Sequence, residues 1–271
     1  MRAKVCSFLN RRRIVILRCR QEADLAGLRV RAWTSGAPNP GSNLVPMCGR
    51  YGLTRSPWRL ADRLRASRRL DKPFRPRYNI APTQPVLAVT NEPERPVVEL
   101  RWGLVPYWAE SPGSMKLSTF NARVETIAAA PAYRGPTRSR RCVILADGFY
   151  EWRSENGAKT PYWIHRVDGE PFAFAGLWDR WRAQRPDEED VQSCTIVTSR
   201  ANEFLAPIHS RMPIVLSEAR AAAWLASEPL VPAAALDVLI PDEDPSTWEM
   251  YSVSSRVGNV RNDDAALVQP V

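Results

Sequence analysis

The sequence predicts an α+β domain built on a curved, barrel-like, mainly antiparallel β-sheet with a few peripheral helices. Three observations carry that expectation. Short runs rich in Val, Ile and aromatic residues recur along the chain, separated by Pro, Gly or Asp-Gly breaks. Only two stretches carry a clear helical signature. The run Cys142-Val143-Ile144-Leu145-Ala146 is apolar without interruption, which suits a central strand.

Taken in order, residues 1–46 stand apart from the rest. They hold nine of the Lys/Arg residues against Glu22 and Asp24, so most of the chain's net charge of +9 lies there. The remainder carries 29 basic and 27 acidic residues, and any nucleic-acid site in it depends on local clustering. Residues 28–46 are rich in Gly, Pro, Ser and Asn and read as disordered. Residues 14–17 are too short for a secretory core and are closed by Arg18 and Arg20. The simplest reading is a non-native extension, with translation starting at Met47 and one domain spanning 47–271.

After Tyr51 a helix is expected, with Ser56 as N-cap, Pro57 in the first turn and Trp58, Ala61 and Leu64 on one face. Its other side carries Arg59, Arg63, Arg65, Arg68 and Arg69, read as a solvated face. Strands follow at 86–89 and 97–102. The run from Cys142 leads through Asp147-Gly148 into Phe149-Tyr150-Glu151-Trp152. Residues 162–167 and 172–178 read as a pair turning at Asp168-Gly169. Further strands are expected at 195–198 and 213–216. A helix begins at Ser217-Glu218 and runs to Leu225, and a last strand occupies 248–253 before a polar end. No apolar run approaches the ~18 residues of a membrane span. Five scattered cysteines without a C-x-x-C pair argue against a disulfide framework or zinc site and fit a reducing cytoplasm.

Few polar residues suit chemistry. Met47-Cys48 sits at the junction, and trimming of Met47 would give Cys48 a free α-amine beside its thiol. These groups titrate near ~8 and ~8.5, so both have nucleophilic forms at neutral pH. The amine can form an imine with an aldehyde, and the thiol can close a thiazolidine on the same carbon. Glu151 lies among aromatics, where a raised carboxylate pKa would suit acid/base work; alternation puts it on the face opposite Tyr150 and Trp152 and leaves its burial open, and the plainer reading is a surface glutamate on a half-exposed strand. Of the two histidines, His165 reads as a packing or surface residue. His209 lies in a proline-bounded loop, where catalysis and strand capping weigh equally. Asn121 can orient a substrate hydroxyl. Arg123 can grip a phosphate or pair with Glu125, and Arg50, Arg77, Arg211, Arg256 and Arg261 are further phosphate candidates. Trp102 and Trp108 can stack on bases, although most of the ten tryptophans are expected in the core.

Seven motifs then occur in fixed order: Met47-Cys48-Gly49-Arg50-Tyr51, Arg77-Tyr78-Asn79-Ile80-Ala81-Pro82, Arg101-Trp102-Gly103-Leu104-Val105-Pro106, Asn121-Ala122-Arg123-Val124-Glu125-Thr126, Gly148-Phe149-Tyr150-Glu151-Trp152, His209-Ser210-Arg211-Met212-Pro213 and Gly258-Asn259-Val260. Together they closely resemble the SOS-response-associated peptidase (SRAP) family of abasic-site processing proteins, from Met47 to the end of the chain. The resemblance implies that an N-terminal Cys48 forms a thiazolidine with the ring-opened aldehyde of an abasic site in single-stranded DNA. That crosslink shields the lesion during repair. It further implies Glu151 as proton shuttle, His209 as its assistant, Asn121 holding the sugar or the cysteine amine, and Arg50, Arg123 and Arg211 on phosphates. Lyase activity by β-elimination and thiol autopeptidase activity belong to the same expectation. So do a monomer without cofactor, metal or membrane contact, and a cytoplasmic location on the nucleoid when engaged. Two other classes stand beside it: a thiol peptidase using Cys48, His209 and Glu151, and a noncatalytic single-strand binding module.

The 46 residues before Met47 depart from the family pattern, because an amide at Cys48 would block ring closure. The mature protein is therefore expected to begin at Cys48. Intact-mass measurement on protein from its own host checks this, and a retained Met1 segment in crosslinking-active material would overturn it.

Overall fold

The computed structural model describes residues 49–68, 70, 72–114, 118–155, 157–240 and 244–271. The N-terminal extension, Cys48 and Arg69 lie outside the described residues. In chain order the strands are β1 (Tyr51–Leu53), β2 (Ser67–Arg68), β3 (Arg77–Ile80), β4 (Pro85–Thr90), β5 (Pro96–Trp102), β6 (Asn121–Arg123), β7 (Arg141–Ala146), β8 (Gly148–Glu155), β9 (Ala158–Arg166), β10 (Phe172–Trp181), β11 (Val191–Arg200), β12 (Arg211–Pro213), β13 (Val215–Leu216) and β14 (Trp248–Ser252). The helices are α1 (Trp58–Arg63), α2 (Arg134–Ser139), α3 (Glu218–Trp224) and α4 (Pro232–Val238).

The uninterrupted apolar run forms β7, and all of its residues are buried. It pairs antiparallel with β4 on one edge and β10 on the other. β4 continues antiparallel to β5, and β10 to β11. β5 and β11 then meet in parallel, Arg101 beside Ser193 and Trp102 beside Cys194, which closes a five-stranded barrel. Closure leaves those strands without a free edge, so Val, Ile, Cys and Ala can line both faces. A second sheet, ordered β14-β9-β8-β1-β3, is antiparallel throughout. Edge-to-face rings join the two layers: Phe149 meets Phe174, and Trp248 meets Phe172.

The helices cover the barrel. Ser217 caps α3 by position, and the buried Trp224 donates its indole N–H to the carbonyls of Cys142 and Gly176, fixing α3 to β7 and β10. α1 is capped by Pro57 in a helical conformation with no side-chain bond, in place of Ser56. Arg59 and Arg63 form an ion-paired, solvated face on the helix with Glu170, whereas Arg68 lies beyond it on β2 and reaches back to Asp62.

Three expectations are corrected. The turn at Asp168-Gly169 exists, with Gly169 at φ +65° and its N–H on the Arg166 carbonyl, but it joins no hairpin. β9 pairs with β8 and β14, whereas β10 enters the barrel beside β7 and β11. The anticipated strand at 213–216 is split at Ile214. Ile214 donates its N–H to Val197 and accepts from Ala175, passing the chain from β11 to β10. The C-terminal stretch beyond β14 is not simply polar: Val257 and Leu267 are buried and pack with Tyr150 and Trp163.

Trp163 crosses β8 at Gly148, where an added Cβ would lie 2.0 Å from the indole. Gly148 is held in register by both β1 and β9, so neither side can yield freely. Gly148→Ala is expected to destabilise the fold by about 1–3 kcal/mol, read as a lowered midpoint of thermal unfolding. An unchanged midpoint would show that the indole moves aside at no cost.

Candidate functional site

β8 carries Glu151 into the interior. Glu151 is 2% exposed and the preceding Tyr150 is fully buried, so the surface expectation for Glu151 is overturned. Both faces of β8 are covered from Gly148 to Glu151. Tyr150 packs with Trp163, Val253, Val257 and Leu267 and donates its hydroxyl to the Tyr78 carbonyl. Burial, then the charges of Asp263 and Asp147, push the Tyr150 phenol far above its ordinary value, so it remains a neutral donor. The backbone N–H of Tyr150 binds the Arg50 carbonyl at 3.0 Å, holding the chain immediately after Cys48 beside this strand.

The second part of the site is assembled on β11. After β5, Gly103 at φ +124° donates its N–H to Cys194, and the chain leaves the barrel wall. It returns as β6, which lies parallel to β11 with Asn121 beside Ile196 and Arg123 beside Thr198. β12 flanks β11 in the same stretch, with Arg211 beside Arg200. Arg211 forms an ion pair with Glu125 and donates to the carbonyl and hydroxyl oxygens of Thr198. Burial, the largest single influence on Glu125, opposes its ionisation, but the Arg211 hydrogen bond, a backbone hydrogen bond and the charges of Arg211 and Arg123 together lower that carboxyl. Arg123, by contrast, is exposed and in no ion pair among the described residues, so the alternative Arg123–Glu125 pair is not what forms. His209 is half-buried and accepts the Arg211 backbone N–H at Nδ1, 3.1 Å away. That bond leaves the proton of the neutral ring on Nε2.

The two parts meet at the start of the described domain. A Cβ placed on Gly49 would stand 4.0 Å from the Phe120 ring, while Arg50 is bonded to β8. Tyr51 packs edge-on against Trp102, which packs against Phe120 and donates its indole N–H to the Phe120 carbonyl. Residues 49–51 thus run between the strand of Glu151 and the segment leading into Asn121.

Other anticipated residues divide differently. Trp102 is fully buried in this relay, so its assignment to base stacking is corrected: the indole is core. Trp108 is 49% exposed and neighbours the exposed Tyr107. Arg50 donates to the Asn79 side chain and to the carbonyls of Val257 and Gly258, and burial lowers its pKa. Arg77 pairs with Asp263 at 2.7 Å and donates to Gln84. Arg256 pairs with Asp264. Asn79 and Asp263, to which the sequence reading gave no role, hold this clamp together. The buried Asn79 amide donates to the carbonyls of Val257, Asn259 and Asn262, and Asp263 accepts from the backbone N–H groups of Tyr78 and Asn79. Their partners lie some 180 residues away, beyond local pattern. His165 faces Glu249 across β9 and β14 at 3.2 Å, a packing role as expected. Among the described residues no helix is long and apolar enough to cross a membrane.

A profile of the SOS response associated peptidase (SRAP) family matches residues 47–260. The chain is 37% identical over 225 residues to abasic site processing protein YoaM of Bacillus subtilis, spanning 82% of this chain and 97% of that one. It is 32% identical over 231 residues to abasic site processing protein YedK of Escherichia coli, covering 83% and 100%. A crystal structure of a protein from Bacteroides thetaiotaomicron superposes with a TM-score of 0.71 at 26% identity, covering 83% of this chain and all of that one.

Proposed function

The chain belongs to the SOS response associated peptidase family, and on that premise we propose that it processes abasic sites in single-stranded DNA by covalent capture through Cys48. The observation that carries the proposal is a buried carboxylate, Glu151, next to the residue that hydrogen-bonds Arg50, two positions after Cys48. A carboxylate so placed serves proton transfer at a chain terminus.

In the proposed reaction the Cys48 α-amine attacks C1′ of the open-chain aldehyde. Glu151 protonates the departing hydroxyl, water leaves and an imine forms. The Cys48 thiol then adds to the imine carbon, its proton passes to nitrogen, and a thiazolidine results with no net redox change. His209, as an Nε2–H donor, assists proton transfer, and Asn121 orients the sugar or the amine. Arg123, exposed and in no ion pair among the described residues, is a cation available for phosphate. Arg211 contributes through a guanidinium already shared with Glu125, and Arg50 and Arg77 act chiefly through the clamp. Trp108 offers the exposed ring for a base.

Cys48→Ala is expected to abolish the heat-stable adduct while leaving an imine that borohydride traps. Glu151→Gln should slow both adduct formation and trapping by ~10²–10⁴, with DNA affinity near normal. His209→Ala should lose less in the same direction. A time course on one abasic oligonucleotide, with and without borohydride, reads all three. A stable adduct from Cys48→Ala without reductant would overturn the thiazolidine.

Binding to undamaged single strands is expected to be modest. Arg123→Ala should weaken it and flatten the log K against log salt slope by about 0.7, one phosphate contact, without lowering the melting temperature. Arg77→Ala should do the reverse, chiefly lowering stability. Fluorescence anisotropy across a salt series with thermal melts separates the two, and equal salt slopes for Arg123→Ala and wild type would remove Arg123 from the interface.

A further inference from the structure

β6 is only three residues long, and β11 satisfies one of its edges. Phe120 accepts from the Ile196 N–H at 3.0 Å, and Val124 donates to the Thr198 carbonyl at 2.9 Å. In a parallel ladder these bonds alternate, so the Asn121 and Arg123 carbonyls face the opposite edge. No strand pairs with that edge among the described residues. The Arg123 carbonyl is met there by the turn that follows, through the N–H groups of Thr126 and Ile127 at 3.0 and 3.1 Å. The Asn121 carbonyl is met by one side chain, the Tyr133 hydroxyl at 3.2 Å.

Tyr133 is itself held in place. Its N–H binds the Ala130 carbonyl, and its own carbonyl accepts from the backbone N–H and hydroxyl of Thr137, both at 2.8 Å. Thr137 is buried and also donates its hydroxyl to Ile127. Burial pushes the Tyr133 phenol up to about 12, so its proton stays available to the carbonyl across the working pH range.

We propose that Tyr133 is a positioning residue for the reaction: its hydroxyl fixes the open edge of β6 at Asn121 and thereby the presentation of the Asn121 side chain. This rests on the role given to Asn121 in the proposed function. The phenol touches no substrate; it acts through the backbone of the residue that does.

The test uses the purified gene product processed by its own host and an abasic single-stranded oligonucleotide in single-turnover crosslinking. Tyr133→Phe keeps the ring and removes only the hydroxyl. Its maximal crosslinking rate is expected to fall about three- to tenfold, the scale of one hydrogen bond, with half-saturating DNA and melting temperature near wild type. In an Asn121→Ala background the Tyr133→Phe change should cost nothing further, which a general structural role would not produce. If Asn121→Ala is slow while Tyr133→Phe runs at the wild-type rate, or if the two losses multiply, the proposal is overturned and the Asn121 role stands. If Asn121→Ala itself runs at the wild-type rate, the Asn121 role falls and the proposal with it. A wild-type protein that forms no adduct would overturn the reading beneath both.

Discussion

The architecture of the site depends on one constraint, the two-sided pairing of β11. This strand closes the barrel by lying antiparallel to β10 and parallel to β5. β5 and β6 lie parallel to successive stretches of β11, Ser193–Cys194 and Ile196–Thr198, and the chain between them loops away and re-enters further along that strand. Gly103 begins that excursion, and the Trp102 indole bonded to the Phe120 carbonyl ties its end to its beginning. The register that results puts Ala122 beside Val197 and Arg123 beside Thr198. β12 approaches the other edge of the same residues, and Arg211 reaches Thr198 from there. Asn121, Arg123, Glu151 and Arg211 are thus carried by backbone ladders, which hold position better than free loops do.

A second constraint decides which arginines are available to a ligand. The C-terminal segment returns to β3 and is fastened there by Asn79 and Asp263. Buried amide and carboxylate groups of this kind must be satisfied, and the carbonyls of residues 257–262 satisfy them. Arg50 and Arg77 join the same network, which explains motif arginines without a phosphate. A domain with a net charge near +2 that commits several cations internally presents a weak electrostatic field. Covalent capture suits such a surface, since residence on DNA then does not depend on tight ionic binding.

The legible parts of the chain were those set by local pattern. The run at β7, the strand of Glu151 and the helix after Ser217 follow from apolar spacing and capping residues over a few positions. The order of seven motifs marked the candidate site residues before any geometry did. What local pattern could not carry was pairing over long separations. β9 finds β14 more than eighty residues later, so the Asp168-Gly169 turn was read as a hairpin that does not exist. Period-two alternation left the burial of Glu151 open, because alternation diagnoses burial only where one face of a sheet is wet. Trp102 was ambiguous for a similar reason: a tryptophan that stacks on bases and one that pins a loop have the same sequence signature. Tyr133 gave no signal, since its role is to complete a strand edge that appears only once β6 is in place.

Burial also sorts the nucleophiles. Cys142 and Cys194 sit fully buried in the barrel wall, and burial pushes both thiols up. They stay protonated and out of an aldehyde's reach. The segment that continues from Cys48 is different, with Gly49 and Arg50 half-buried. In the proposed reaction the thiol needs no activated thiolate pocket. The amine condenses first, and the thiol then meets an imine carbon, C1′ of the sugar, bonded to the nitrogen of its own residue, where tethering supplies an effective concentration of many molar. The slow step becomes loss of water from the carbinolamine, which requires a proton donor at the chain terminus. A buried Glu151 on a strand hydrogen-bonded to Arg50 meets that requirement. In the proposed reaction the chemistry is therefore divided between a terminus that supplies two nucleophiles and a sheet interior that supplies one acid.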